Sequence, residues 1–146
     1  MHGNEMMPPR QMRNLAPRLL AYEAAAGETS DSAAVRVYEK LRRPLCALAG
    51  VAGFRSLASR ALALARAEAP TLSAVQVTPD GLLQGLVELE SQSDKDHAEQ
   101  EGVILIAQLL GLLSIFIGEA LTMRLVRDAW PDAAFDDPDS RNERTA

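Results

Sequence analysis

Residues 105–123, which read LIAQLLGLLSIFIGEALTM, form the most apolar stretch of the chain. At 100° per residue, this helix carries large apolar side chains on one face and small residues on the other. The large stripe comprises Leu105, Leu109, Leu112, Phe116, Ala120 and Met123. The small stripe comprises Ala107, Gly111, Ser114, Gly118 and Thr122. Because both faces need a partner, the helix is predicted to lie at the centre of the fold.

The small stripe is predicted to be an interface. A glycine in a helix interior costs about 1 kcal/mol relative to alanine, so Gly111 and Gly118 need compensation. Close packing of another helix backbone on the stripe would supply that compensation. The packing helix comes from the same chain or from a second copy, and the sequence leaves both possibilities open.

The same stretch raises the question of a membrane. The uncharged run from Gly102 to Gly118 has seventeen residues, at the lower edge of what spans a bilayer. Small residues at this spacing also drive association of membrane helices. The chain lacks an aromatic belt near the run, however, and its other helices are amphipathic and need a core partner. The favoured interpretation is a soluble cytoplasmic protein, and the alternative is an inner-membrane-associated protein that inserts residues 102–123.

Composition favours helices over sheets. Apolar residues make up 47% of the 146 residues while aromatic residues make up 4%, and alanine and leucine are better helix formers than strand formers. The length is that of one domain.

The lone Cys46 has no intrachain disulfide partner and is predicted to be a small buried side chain in a reducing compartment. The first residues contain no signal-peptide-like apolar core, so no export is expected.

Three regions are predicted along the chain: a disordered arm over residues 1–14, a helical domain over 15–131 and an acidic flexible tail over 132–146. Pro17 is expected in the first turn of helix one, which Gly27 should end. Helix two should follow the capping residues Thr29, Ser30 and Asp31.

Pro44 is predicted to end or kink helix two, and the uncharged segment that follows it should form a buried connector or short helix. Helix three should run from Phe54 to Ala69, because Pro70 stops it. Alternating SAVQV, the turn sequence TPDG and then LLQGLVELE predict a small β-hairpin, although the second arm could equally form a helical turn. Ser93 or Asp94 should cap the last helix, which continues to Pro131.

Together these patterns predict an all-α protein, or an α protein with one small β-hairpin. The architecture expected is a compact helical bundle around a long apolar C-terminal helix.

Charge is distributed unevenly along the chain. Residues 1–67 carry ten basic and five acidic groups, while residues 68–102 carry one basic and eight acidic groups. The two regions should attract within the fold or across an oligomer. Arg42, Arg43, Arg55 and Arg60 are candidate anion contacts, which makes nucleic-acid binding the third and least favoured hypothesis.

Polar residues on the last helix are candidates for chemistry. Gln108 and Glu119 are three helical turns apart and form a polar line beside the small stripe, with Glu101 on the same line. His97 and Glu101 have one-turn spacing but no second pair of metal ligands, so no metal is predicted. A nucleophile elbow, a phosphate-binding glycine loop and paired catalytic carboxylates are missing from the sequence, which predicts neither an enzyme nor a cofactor.

The resulting functional hypothesis is a small intracellular helical interaction or regulatory protein. It would act by binding another protein or a second copy of itself through the small stripe. Membrane association is the second hypothesis.

Overall fold

A computed structural model describes residues 7–26 and 32–133. In this part of the chain lie five α-helices: α1 (Met7–Ala26), α2 (Ala33–Glu68), α3 (Leu86–Gln92), α4 (Lys95–Ile117) and α5 (Glu119–Ala129). A 3-10 helix (Pro70–Ala74) and two short strands, β1 (Gln76–Val77) and β2 (Leu83–Gln84), connect α2 to α3. The predicted fold class is confirmed, because the described chain is helical apart from one small hairpin.

The hairpin forms where the sequence predicts it. Strands β1 and β2 pair antiparallel, with Gln76 opposite Gln84. The turn closes through the Gly81 N–H, which donates to the Thr78 carbonyl over 2.8 Å, and Gly81 has a φ of 86°. A left-handed φ of this kind favours glycine, which explains the TPDG sequence. The second arm of the hairpin contains both the strand and the helical turn that the sequence left open, since β2 leads through Gly85 directly into α3.

Helix α4 is the central element and contacts α1, α2, α3 and α5. Its N-cap is Asp94, whose carboxylate accepts the His97 N–H over 2.8 Å, as predicted. Ile106, Leu110 and Leu113 are fully buried. The predicted large stripe is right only at its start: Leu105 and Leu109 are buried, whereas Phe116 is 65% exposed. Helices pack around α4 on several sides, so its buried face is wider than one stripe and narrows toward its C-terminus.

The prediction of one continuous last helix is wrong, because the helix breaks at Gly118. This residue has φ 92° and ψ 154°, a conformation that is essentially restricted to glycine. Close packing against the helix glycines, the expected compensation for their cost, is also not found. No described atom lies within 4 Å of a Cβ built on Gly111 or Gly118. Close packing occurs instead at Gly102, where a Cβ would lie 2.9 Å from Leu20 Cδ2 and 3.0 Å from Ala34 Cβ.

Helix α2 differs from the prediction in a similar way. Ser32 caps it by accepting the Val35 N–H over 3.2 Å, and the helix continues through Pro44. The break falls at Gly50, which has φ 83° and ψ 160°. The segment after Pro44 is helical, which is one of the two forms expected, but the expectation that it is buried is wrong, since Leu48 is 54% and Val51 is 47% exposed.

The two breaks lie at the same end of the bundle. The Gly50 break divides α2 into a first arm before it and a second arm after it. The first arm starts beside α4, where Ala34 lies next to Gly102. Each break follows this contact by sixteen residues in its own helix, at Gly50 in α2 and at Gly118 at the end of α4. The second arm returns toward the start of α4, where the Gln108 amide donates to the Glu68 carboxylate and Thr71 Oγ1 donates to Glu101. We call this end the glycine end.

Helix α5 also returns from the glycine end along the first arm of α2. Arg43, Pro44 and Leu125 line one cleft between these helices. At the far end of α5, Lys40 Nζ lies 5.7 Å from the ring centroid of Trp130. The Gly118 break therefore turns the chain back, so that α5 lies beside the first arm of α2.

Helix α1 begins at Met7, inside the stretch predicted to be an arm, and Pro17 lies within the helix rather than in its first turn. The expected stop at Gly27 and the expected caps Thr29, Ser30 and Asp31 lie outside the described residues, as do residues 134–146 of the predicted tail.

Candidate functional site

Exposed large apolar side chains of the described residues concentrate at the glycine end. Phe116 is 65% and Ile115 is 71% exposed just before the break in α4, while Leu48 and Val51 flank the break in α2. Gly50, its immediate neighbours and Gly53 are exposed as well. We call Leu48, Val51, Ile115 and Phe116 the apolar tip.

Charges are excluded from the chain around the apolar tip. No charged residue occurs from Pro44 to Phe54 or from Gly102 to Gly118. Exposed Arg43 and Arg55 flank the first segment on α2, and Glu119 and then exposed Arg124 follow the second segment on α5. Neither these three arginines nor Arg60 forms an ion pair with a described residue.

The predicted small stripe is mostly buried. Ala107, Gly111, Ser114 and Thr122 are buried, and Gly118 is half-buried. The two hydroxyl groups of the stripe bond to nearby backbone carbonyls. Ser114 Oγ donates to the Gly111 carbonyl and Thr122 Oγ1 donates to the Gly118 carbonyl, each over 2.8 Å. Most of the stripe is therefore enclosed within the described chain, although no close helix contact is found at Gly111 or Gly118.

The predicted polar line does not exist as a continuous feature. Gln108 bonds to Glu68 of α2, and Glu119 lies beyond the Gly118 break in the first turn of α5. Glu101 is 3% exposed, and its Oε2 accepts the Thr71 hydroxyl. Its Oε1 has no hydrogen-bond partner among the described residues. The predicted line requires a straight helix, so the break removes Glu119 from it.

Glu90 and Glu101 form an electrostatically coupled pair at the end opposite to the apolar tip. The Ser32 hydroxyl donates to Glu90 Oε2 over 3.0 Å. Burial raises the pKa of Glu90, the Ser32 hydrogen bond lowers it and the charge of Glu101 raises it, with a net upward shift. A buried acid with a raised pKa can be a functional signal or a structural one. Here each carboxylate bonds a hydroxyl from another element, which favours the structural role.

The four candidate anion contacts lie in different settings. Arg42 is held by Glu39 over 2.9 Å, and this hydrogen bond raises the pKa of Arg42. Arg43 is exposed in the first arm of α2, while Arg55 and Arg60 are exposed in the second arm beyond Gly50. The break thus divides the set, and the arginines do not form one surface along a helix.

Sequence reasoning missed a buried polar node at Glu23. Its carboxylate accepts hydrogen bonds from Lys40 over 2.5 Å, from Trp130 Nε1 over 2.7 Å and from Arg36 Nε over 3.0 Å. Burial raises the pKa of Glu23, but these three donors together lower it below the ordinary value. No sequence signal could reveal this node, because its partners are up to 107 residues apart.

The remaining chemical candidates do not assemble into a site. His97 is exposed beside the capping Asp94 carboxylate, and buried Glu101 does not share its surface. Within residues 7–26 and 32–133, no three histidine, cysteine or acidic side chains cluster as metal ligands. Cys46 is a half-buried free thiol, more exposed than predicted. An open cleft of about 510 Å³ lies between α1 and α4 and is lined by Pro17, Val103 and acidic Asp96 and Glu99 among others.

Within residues 7–26 and 32–133, two helices are long and apolar enough to cross a membrane by length and composition alone. The mean hydropathy of the most apolar window is 1.2 in α2 and 1.9 in α4, and 28% and 44% of these windows are buried. Core helices of soluble proteins pass the same test, so this result does not decide between a soluble and a membrane-bound protein.

No family model, curated protein sequence or solved structure matches this chain.

Proposed function

We propose that this protein acts by binding, and that the apolar tip is the surface that its partner covers. The observation that carries the proposal is the exposure of Leu48, Val51, Ile115 and Phe116 beside the two glycine breaks, which lie at the same end of the bundle. Isolated exposed apolar side chains are common on soluble proteins, whereas a clustered patch marks an interaction site.

The geometry of the glycine end supports this proposal over use of the small stripe. Four of the five small-stripe residues are buried and Gly118 is half-buried, so little of the stripe is available to a second copy. The apolar tip, by contrast, is accessible in the folded protein. Both glycine breaks lie beside exposed apolar side chains. The nearest charged residues to Gly50 along the chain are Arg55 and Arg43, and the run before Gly118 is uncharged back to Gly102, while Glu119 directly follows Gly118.

Hydrophobic-dye fluorescence and light-scattering mass, both measured without detergent, test the proposal. The chain offers a matched pair of substitutions, because Val51 in the apolar tip is 47% exposed and Val87 on α3 is 49% exposed. Val51→Ser combined with Phe116→Ser should reduce dye fluorescence several-fold, while Val87→Ser should leave it unchanged.

The light-scattering mass then reports whether the surface joins copies of this chain. A multiple of 15.8 kDa that reverts to monomer in the tip variant identifies self-association. Equal dye binding by the tip variant, the Val87→Ser variant and the unaltered protein would refute the proposal.

A further inference from the structure

We infer that the partner of the apolar tip is the interface of a lipid bilayer that contains anionic lipids. This inference rests on the proposed function and names the chemistry of its partner. The tip would enter the boundary between headgroups and acyl chains, with Arg43, Arg55 and Arg124 at the level of the lipid phosphates.

The depth of the uncharged end fits an interfacial insertion. Arg43 and Arg55 lie seven and five residues from Gly50, and Arg124 lies six residues from Gly118. At 1.5 Å per helical residue, these arginines are about 8–11 Å from the breaks. Interfacial helices bury their apolar faces by about 5–10 Å. Insertion to that depth therefore places all three guanidinium groups among the headgroups.

The charges of these arginines are available for phosphates. All three side chains are exposed, and none pairs with a described carboxylate. Two described acidic residues lie on this side of the bundle. Glu119 directly follows Gly118 and is half-buried in the first turn of α5, where the helix dipole stabilises its charge. Asp80 is exposed in the hairpin turn, which packs on Phe54 through Gly81.

The opposite end of the bundle is acidic, which orients the molecule. Asp94, Asp96 and Glu99 are exposed at the start of α4, together with Glu88 on α3. An anionic membrane repels this end and attracts the arginines around the apolar tip, so electrostatics and apolar contact select the same orientation.

Insertion at the interface fits the structure better than a transmembrane span. The uncharged run of α2 has eleven residues, from Pro44 to Phe54, which is too few to cross a bilayer core. The middle of α4 is already occupied, since Ile106, Leu110 and Leu113 are fully buried by other helices of the chain. A span would require these contacts to be exchanged for lipid, whereas tip insertion leaves the bundle intact.

Co-sedimentation with vesicles of phosphatidylcholine, with and without phosphatidylglycerol, tests the inference on the full chain. The protein should bind the anionic vesicles and bind the neutral vesicles far more weakly. Arg55→Gln and Arg124→Gln should each weaken binding about fivefold. Arg127→Gln, which changes an exposed arginine one turn further along α5, is the matched control and should have a smaller effect.

A fluorescent label reports insertion itself. In a Cys46→Ser background, an environment-sensitive dye on Leu48→Cys should shift to the blue on addition of anionic vesicles, and the same dye on Val87→Cys should not. Phe116→Ser should weaken vesicle binding about tenfold. Circular dichroism of each variant establishes that the fold is retained.

The outcomes separate this inference from the proposed function. If no vesicle binds the protein while the apolar tip still controls dye binding or the mass of an oligomer, the inference is overturned and the proposed function stands. If binding is equal on neutral and anionic vesicles, or if the label at Leu48→Cys does not shift, insertion of the tip between anionic headgroups is wrong. If the tip variants alter neither dye binding nor vesicle binding, both proposals fail.

Discussion

Trp130 donates its indole N–H to the carboxylate of Glu23 over 2.7 Å, although 107 residues separate the two along the chain. Both side chains are buried. The bond joins the end of the last helix to the first helix, and Lys40 and Arg36 on α2 complete the node. Three helices that have no local sequence relationship are thereby held at one point, and the geometry of the node leads directly to the first prediction.

Glu23→Gln should lower the free energy of unfolding by about 2 kcal/mol, because it removes the buried negative charge and leaves Lys40 and Arg36 without their counterion. Urea denaturation at neutral pH measures the loss. The control Glu99→Gln changes an exposed acid on α4 and should stay within about 0.5 kcal/mol of the original protein. An equal free energy of unfolding in the two variants would show that the hydrogen bonds of Glu23 do not stabilise the fold.

The same node sets an acid limit on stability. The folded-state pKa of Glu23 is lowered, so its contribution is present above the unfolded-state pKa and is lost as the pH falls through the folded value. The stability difference between the original protein and Glu23→Gln should therefore shrink below about pH 4. Urea unfolding across this range provides the measurement, and a difference that does not depend on pH would contradict the assignment.

Glu90 should show the opposite dependence. Burial is the largest cause and raises the folded-state pKa of Glu90. The protonated form therefore stabilises the fold. This stabilisation is fully present below the unfolded-state pKa and is lost as the pH rises through the folded-state pKa. Glu90→Gln retains an acceptor for Ser32 without the charge. The variant should gain stability over the original protein at neutral pH and lose that advantage as the pH falls to about 4. Urea unfolding at both pH values measures it, and a loss of stability at neutral pH would show that the ionised carboxylate is required.

Gly102→Ala should destabilise the fold by about 1–3 kcal/mol. Its Cβ would lie 2.9 Å from Leu20 and 3.0 Å from Ala34, so either α1 or α2 must move away from α4. The comparison is Gly111→Ala in the same helix, where no described atom is within 4 Å of the new Cβ. There the helix propensity of alanine should raise stability by up to about 1 kcal/mol. Thermal unfolding of both variants measures the difference, and equal shifts would contradict the packing at Gly102.

Gly118→Ala should also be destabilising, but for a conformational reason. A φ of 92° with a ψ of 154° costs an alanine about 1–3 kcal/mol, although no described neighbour obstructs its side chain. Gly53→Ala, in an ordinary helical conformation with one neighbouring atom, Ala49 Cβ, at 3.1 Å, is the control and should have a smaller effect in the same thermal unfolding measurement. If Gly118→Ala is instead neutral, α4 and α5 form the straight helix that the sequence pattern predicts.

The sequence by itself determined the elements whose causes are local. Asp94 caps α4 because its carboxylate reaches a backbone N–H three residues away, and TPDG makes a turn because Gly81 accepts a left-handed φ. Ala34, Val37, Tyr38 and Leu41 recur at helical spacing, and all four are buried as this pattern predicts. These features depend on neighbours within one or two turns, so they can be derived from the order of residues.

Only the tertiary structure decided where the helices break and which apolar segments stay exposed. A glycine in an apolar helix pattern is compatible with a straight helix, as at Gly111, and with a reversal, as at Gly118, because its backbone permits both. The choice depends on whether packing α5 against α2 gives a lower free energy than continuing α4 as a straight helix. Likewise, an uncharged run such as residues 44–54 has the composition of a core whether or not another helix covers it. Burial is a property of the assembled bundle, and for that reason the apolar tip could not be found from the sequence alone.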